Sequence, residues 1–278
     1  MDSSIKIGFI GAGNIAQAIG ICIIKKNLLP PNQIYVSAPS ERNFQKWKEL
    51  GVNTTHNNYE VILQCNIVFL AVKPQNIHSV IIDLSMSKNE LDFDRLIISI
   101  IAGLSLKALD LMLRSVLQRY SLIKAIPNIS IIVGKGTTVI CDDEDKPASE
   151  YNIKLVKMIM SAGGICEIIP ESLMNAASAV SGSGVAFVYS IIEALSDGAV
   201  KQGIPRILSY KLAAHTLLGA AEMVLETNEH PAVLKDKVCS PGGTTISGIH
   251  ALEKGGLRSS LMDAIEATTN KAFELDKK

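Results

Sequence analysis

Over the first 170 positions, short unbroken apolar runs alternate with stretches whose apolar residues recur every three or four positions. The runs at 5–10, 33–37, 66–72 and 96–101 read as strands. Ile67, Val68, Phe69, Leu70, Ala71 and Val72 are apolar without a break, as in a strand covered on both faces. Helical periodicity predicts helices over 14–26, 41–50, 74–84 and 105–117. Weaker strand signals follow at 121–125, 137–141 and 164–169, with a helix over 148–161. This alternation predicts right-handed crossovers and a parallel sheet with helices on both faces. Past residue 170 the strand signal stops. Helical patterns cover 183–201, 206–227, 230–238, 244–254 and 257–275, and Leu257, Leu261 and Ile265 share one face of the last. Gly203 and Pro205 break the helical pattern where one helix should end and the next begin. The pattern therefore predicts an α/β domain over 1–170 and an all-helical domain over 171–278.

The first strand runs directly into Gly11-Ala12-Gly13-Asn14-Ile15-Ala16, a Gly-x-Gly-x-x-Ala sequence opening a helix. Gly11 suits a tight strand-to-helix turn. Gly13 lacks a side chain where a backbone approaches a pyrophosphate, and Ala16 allows close helix–strand packing. The helix N-terminus offers free N–H groups and a positive dipole end to phosphates. In this position the motif predicts a Rossmann-type dinucleotide-binding domain.

Composition narrows the partners. The chain has 278 residues, 47% hydrophobic and 19% charged, with 27 Lys+Arg against 27 Asp+Glu, so no charge excess favours nucleic acid or an anionic membrane. Cys22, Cys65, Cys141, Cys166 and Cys239 show neither a C-x-x-C pair nor a metal spacing; reduced thiols, a cytoplasmic location and no metal site are expected. A first strand near Ile5 leaves no room for a cleaved targeting peptide. Residues 172–192 carry no formal charge and have membrane-spanning length, but Ser, Gly, Ala and Asn dilute their hydropathy. A helix buried inside the subunit or at a subunit interface is expected there instead.

The second strand ends in Ser37, followed by Ala38, Pro39, Ser40, Glu41 and Arg42. An NAD-type site places an acid at that strand end. Hydroxyls at Ser37 and Ser40 and the guanidinium of Arg42 instead suit a 2′-phosphate, so NADPH is expected over NADH. Glu41 is the counter-signal. The loops Ala71-Val72-Lys73-Pro74 and Ile101-Ala102-Gly103 end further strands and are expected to border the nicotinamide end.

Two small-residue motifs stand in the helical part: Ser181-Gly182-Ser183-Gly184, and Ser240-Pro241-Gly242-Gly243-Thr244-Thr245. Both read as tight turns. In the second, threonine hydroxyls are expected to cap the following helix, and consecutive N–H groups to be free for a carboxylate.

Taken with Phe9-Ile10-Gly11-Ala12-Gly13-Asn14, Ala71-Val72-Lys73-Pro74, Pro127-Asn128, Asp197-Gly198-Ala199-Val200 and Leu234-Lys235-Asp236, these motifs resemble pyrroline-5-carboxylate reductases along nearly the whole chain. The resemblance implies reduction of the cyclic imine 1-pyrroline-5-carboxylate to L-proline by NAD(P)H. It also implies a Rossmann-type domain followed by an all-α dimerisation domain, with dimers assembling further into decamers. Carried over by position, Thr245 is the catalytic residue and holds the imine nitrogen. Gly242, Gly243 and Thr244 hold the substrate carboxylate, aided by Ser181, Gly182, Ser183 and Gly184, with Glu171 near the substrate. Gly11, Gly13, Asn14 and Ile15, with Ile10 beside them, take the pyrophosphate; Ser37 and Arg42 take the adenosine ribose-phosphate. Asn58, Ala71, Val72, Lys73, Pro74 and Ala102 line the ribose and nicotinamide. The chain departs from the family pattern at Val185, Ile129 and Lys237, and Lys237 is expected to add a contact to a phosphate or carboxylate.

Other readings share parts of this pattern. A different imine or β-hydroxyacid reductase would use Lys201, Lys211 or His215 as its base. A non-catalytic dinucleotide-binding regulator would lack the Pro-Gly-Gly-Thr-Thr motif. His215, His230 and Cys239 are expected to be structural.

Overall fold

The computed structural model describes residues 4–86 and 94–276. Its sheet has eight strands in the order β3-β2-β1-β4-β5-β6-β7-β8. These are β1 (Ile7–Ile10), β2 (Ile34–Ser37), β3 (Asn53–Thr55), β4 (Ile67–Leu70), β5 (Arg95–Ser99), β6 (Tyr120–Pro127), β7 (Gly136–Asp142) and β8 (Gly164–Ile168). Helices α1 (Asn14–Lys25), α2 (Phe44–Glu49), α3 (Asn58–Gln64), α4 (Ile77–Ser85), α5 (Leu106–Leu113) and α6 (Glu150–Ser161) cover it. Alternate strand residues supply two cores, as the two-residue period of a strand requires. On one face Phe9 stacks on Phe69 at 4.8 Å and meets Trp47 at 5.5 Å, packed with Ile19, Ile23 and Val156 from the helices. On the other, Ile10, Val68, Leu70 and Ile97 pack against Val61, Val80, Leu109 and Leu113.

The structure corrects the sequence reading in two places here. The sheet is not all parallel: β6 and β7 pair antiparallel, with Ala125 opposite Ile140, while the other neighbours are parallel. A 3-10 turn over Ile129–Val133, ending at Gly134 with φ +71°, reverses the chain there instead of a crossover helix. In addition, β3 and α3 fill a segment for which no element was expected.

Helical structure after β8 comprises α7 (Met174–Ser178), α8 (Gly184–Lys201), α9 (Arg206–Thr227), α10 (Pro231–Val238), α11 (Thr244–Lys254) and α12 (Leu257–Asp276). The chain divides into two compact units, Met1–Gly182 with Thr269–Lys278, and Ser183–Thr268. The change from strands to helices falls near 170, as the periodicity indicates, but the compact division falls twelve residues later. Met174 and Ala179 are buried, Asn128 holds Ser181, and Asn175 bonds Asp276 within the first unit. In the second unit α8 and α9 form a hairpin in which Gly203 has φ +92° and Arg206 bonds Ser196 and Asp197.

The helical run Glu171–Lys201 has a mean hydropathy of 1.4 in its most apolar window, of which 6% is buried. It is long and apolar enough to cross a membrane by length and composition alone. Burial inside the subunit, one of the two placements expected for it, is not what the fold provides.

Candidate active site

Three loops converge at the carboxyl ends of the parallel strands. Gly11 N donates to Ser37 O at 2.9 Å, and Ala71 N donates to Ile10 O at 2.8 Å. Gly11 has φ +110°, and a Cβ there would lie 2.5 Å from Ala71 O. Glycine is thus required by both conformation and space. Gly13 differs: it is the N-cap of α1, with no side-chain cap, and a Cβ there would meet open space. The first-turn N–H groups of Asn14 and Ile15 therefore have no capping side chain, a cradle that fits an anion such as a dinucleotide pyrophosphate. Gln17 Nε2 braces the loop by donating to Ala12 O at 3.1 Å.

A cavity of about 420 Å³ lies beside this cradle. It brings together Gly11, Ser37, Asn58 and Val72 from the sequence-derived set. It adds His56, Asn76 and Asp83, which sequence reasoning missed. The signal for His56 was the neighbouring Asn57, whose side chain caps α3 by accepting from Tyr59 N and Glu60 N. Asp83 carried no signal, because nothing in the spacing of α4 marks it. Ser37 is buried at the end of β2. Ile10 is buried and acts through its backbone oxygen.

Arg42, expected at the ribose-phosphate end, and Glu41, the counter-signal, lie in the 3-10 turn that follows β2. Arg42 is exposed in this short turn and is not among the residues that line the cavity. Glu41 is held by Lys48 at 3.1 Å and by His56 at 3.2 Å. The Lys48 hydrogen bond, then the one from His56, holds the Glu41 carboxyl below its ordinary range. Lys73, Pro74 and Ala102 are exposed on the loops after β4 and β5.

Glu171, expected near the substrate, caps α5. Its Oε1 accepts from Leu106 N at 2.7 Å, where Ser105 also caps α5 through Ala108 N. Ser181, Gly182 and Ser183 are corrected from a turn to part of a π-helical segment, Ala179–Ser183, that continues into α8 at Gly184. Small residues permit this wider winding, which is concentrated at functional positions in helices. Asn128 Nδ2 donates to Ser181 O at 2.8 Å, while its Oδ1 accepts from Ser130 N and Thr137 N.

In the second unit, Gly242 has φ +69° and Gly243 N donates to Ser240 O at 3.0 Å. A Cβ on Gly243 would lie 2.3 Å from Ser240 Oγ. Gly243 is the N-cap of α11 and no side chain caps it. The expectation that threonine hydroxyls cap this helix is thus corrected: Thr244 and Thr245 occupy its first two positions. A helix start with no capping side chain leaves first-turn N–H groups beside two threonine hydroxyls, a donor set suited to a carboxylate and a nitrogen. Lys237, expected to contact a phosphate or carboxylate, pairs with Glu229 at 2.5 Å. His230 Nδ1 accepts from Ala232 N and so caps α10.

No cluster of His, Cys, Asp or Glu among the described residues has metal-binding geometry. Burial pushes the Cys65 and Cys141 thiols up to about 12 and Cys166 to about 11, which keeps them protonated and unreactive.

A Rossmann-type sheet with a phosphate cradle, joined to a helical unit with an uncapped Pro-Gly-Gly-Thr-Thr helix start, defines a two-unit nicotinamide-dependent reductase. Residues 171–275 match the family model for pyrroline-5-carboxylate reductase dimerisation, and residues 6–103 match that for coenzyme F420-dependent NADP oxidoreductases. Pyrroline-5-carboxylate reductase 3 of Xenopus laevis is 41% identical over 99% of this chain and 97% of its own length. The Methanosarcina acetivorans pyrroline-5-carboxylate reductase is 40% identical over 98% of each chain. The Plasmodium falciparum pyrroline carboxylate reductase, solved with NADP bound, superposes with a TM-score of 0.85 at 32% identity, covering 99% of this chain and 100% of that one. The chain belongs to the pyrroline-5-carboxylate reductase family. A reductive aminase from Aspergillus terreus, at 13% identity and a TM-score of 0.57 over 97% of this chain and 94% of that one, shares the fold alone.

Proposed function

We propose that this protein reduces 1-pyrroline-5-carboxylate to L-proline, the closing step of proline synthesis, with NADPH as the preferred donor and NADH accepted. The observation that carries the reading is the open cradle at Gly13 and the first turn of α1, in a chain 41% identical over nearly its full length to a reductase of that name. A reduced nicotinamide dinucleotide supplies the hydride that reduces the imine carbon. The N–H groups of Asn14 and Ile15 bind the pyrophosphate. Ser37 and Asn58 hold the adenosine ribose, and Val72, Lys73 and Ala102 border the nicotinamide end. The N–H groups of Gly243 and Thr244 bind the substrate carboxylate, with residues 181–184 in support.

Thr245 orients the nitrogen. A protonated cyclic imine is already electrophilic, so its hydroxyl needs to hold and direct that nitrogen rather than titrate. The nitrogen then keeps its proton as the amine forms.

The exposed helices of the second unit and the matched dimerisation family support a homodimer, the family resemblance supports further assembly into a decamer, and the free cysteines support a cytoplasmic location. The test is NADPH oxidation by the purified protein with pyrroline-5-carboxylate, with proline quantified and NADH run alongside. Turnover yielding stoichiometric proline, with a higher kcat/KM for NADPH, is expected. Dinucleotide binding without proline formation would refute the reading.

A further inference from the structure

The cavity beside the phosphate cradle contains a hydrogen-bonded chain with a fixed direction. Ser37 Oγ lies 2.6 Å from Asn58 Oδ1, and Asn58 Nδ2 lies 2.9 Å from Asp83 Oδ2. All three residues line the same cavity. A carboxylate accepts and cannot donate, so Asn58 turns its NH₂ group toward Asp83 and its carbonyl oxygen toward Ser37. Ser37 must then donate its single hydroxyl proton to Asn58. Lone pairs are all that the Ser37 hydroxyl has left for a ligand. A lone pair accepts from a ribose 2′-hydroxyl and is a poor partner for a 2′-phosphate dianion.

We propose that Asp83 is a positioning residue that sets the hydrogen-bond polarity at the ribose end and thereby restrains the preference for NADPH over NADH. The proposal rests on the reading of this cavity as the dinucleotide site. An NAD-type domain places its acid at the end of the second strand. Here that position is Ser37, and the acid acts from the second turn of α4 through the Asn58 amide. Asp83 is exposed on its helix, so replacing it removes no packed core atom. Asp83→Asn keeps the shape while removing the obligatory acceptor. The Asn58 amide is then free to turn over, and Ser37 is free to donate to a phosphate.

Dissociation constants for NADPH and NADH, measured by direct titration of the wild-type protein and Asp83→Asn, test this without requiring turnover. The expected result is a shift of the affinity ratio toward NADPH of about five- to twentyfold, the equivalent of one redirected hydrogen bond. The shift should persist in about 0.5 M KCl, where the long-range field of a removed surface charge is screened. An unchanged ratio, or a shift toward NADH, would overturn the proposal. A shift that disappears in high salt would also overturn it, since the charge of Asp83 alone would then explain the ratio. A wild-type protein that binds neither dinucleotide would instead remove the functional reading on which the proposal stands.

Discussion

Gly11 and Gly13 sit two residues apart in one loop and are glycine for different reasons. Gly11 is required by the fold: its φ of +110° and the 2.5 Å approach of Ala71 O leave no place for a Cβ. Gly13 has a φ of −72° and open space beyond it, so the fold alone tolerates a side chain there. Gly11→Ala should therefore cost about 1–3 kcal/mol of stability, read by thermal denaturation. Gly13→Val should melt near the wild type yet lose at least about tenfold in NADPH affinity by titration, because its methyl groups occupy the phosphate approach. Thr245 makes the corresponding argument for substrate. Thr245→Ala should lower kcat/KM about ten- to a thousandfold, or ~1.4–4 kcal/mol, with NADPH affinity unchanged. Wild-type kinetics in that variant would exclude the assigned role.

At the scale of elements, the π-helical segment and the Asn128 side chain form one device. Asn128 anchors its own loop through two accepted N–H bonds and reaches Ser181 O with its amide. Asn128→Asp keeps both acceptors but turns a carboxylate oxygen toward a carbonyl. KM for the imine should rise roughly tenfold with the cofactor KM unchanged, since an unpaired buried group costs about 1–3 kcal/mol. A second buried network joins α5 to β6, where Tyr120 Oη donates to Asp110 Oδ1 at 2.6 Å and Arg114 and Lys146 neutralise the carboxylate. Burial alone would raise the Asp110 carboxyl, but the hydrogen bonds from Tyr120 and Arg114 and the charge of Lys146 outweigh it and hold it below the ordinary range. A carboxyl depressed in the folded state stabilises above its unfolded value, about 3.9, and that contribution disappears as pH falls through the folded value. Asp110→Asn should reduce the dependence of melting temperature on pH below about 4.

These elements also mark what the sequence could reveal. The alternation of apolar runs and helical stretches located most strands because buried parallel strands are continuously apolar. β3 escaped because Asn53, Thr54 and Thr55 carry no apolar alternation at the sheet edge. The antiparallel pairing of β7 was invisible because a five-residue 3-10 turn occupies the place of a crossover helix. Residues 181–184 read as a turn because serine and glycine favour turns, and only the surrounding helix converts them into a π segment. The Asp83 contribution lies in side-chain geometry across three elements, which no spacing encodes.

At the scale of the whole molecule, the second unit is short of a core. Ser196, Ser209 and Ala213 are its buried residues, while Tyr189, Leu195, Ile207, Leu218 and Leu225 are exposed. Apolar surface on this scale is characteristic of an interface. In sedimentation the protein should behave as two or more chains of 29.9 kDa, and a stable single-chain species would contradict the role assigned to these helices.

The most direct test of the central claim is the fate of the hydride. NADPH deuterated at the transferable C4 position should give proline carrying one deuterium on the ring carbon that was double-bonded to nitrogen in the imine. Unlabelled proline, or no proline from a protein that binds NADPH, would contradict hydride transfer to the imine as the reaction of this chain.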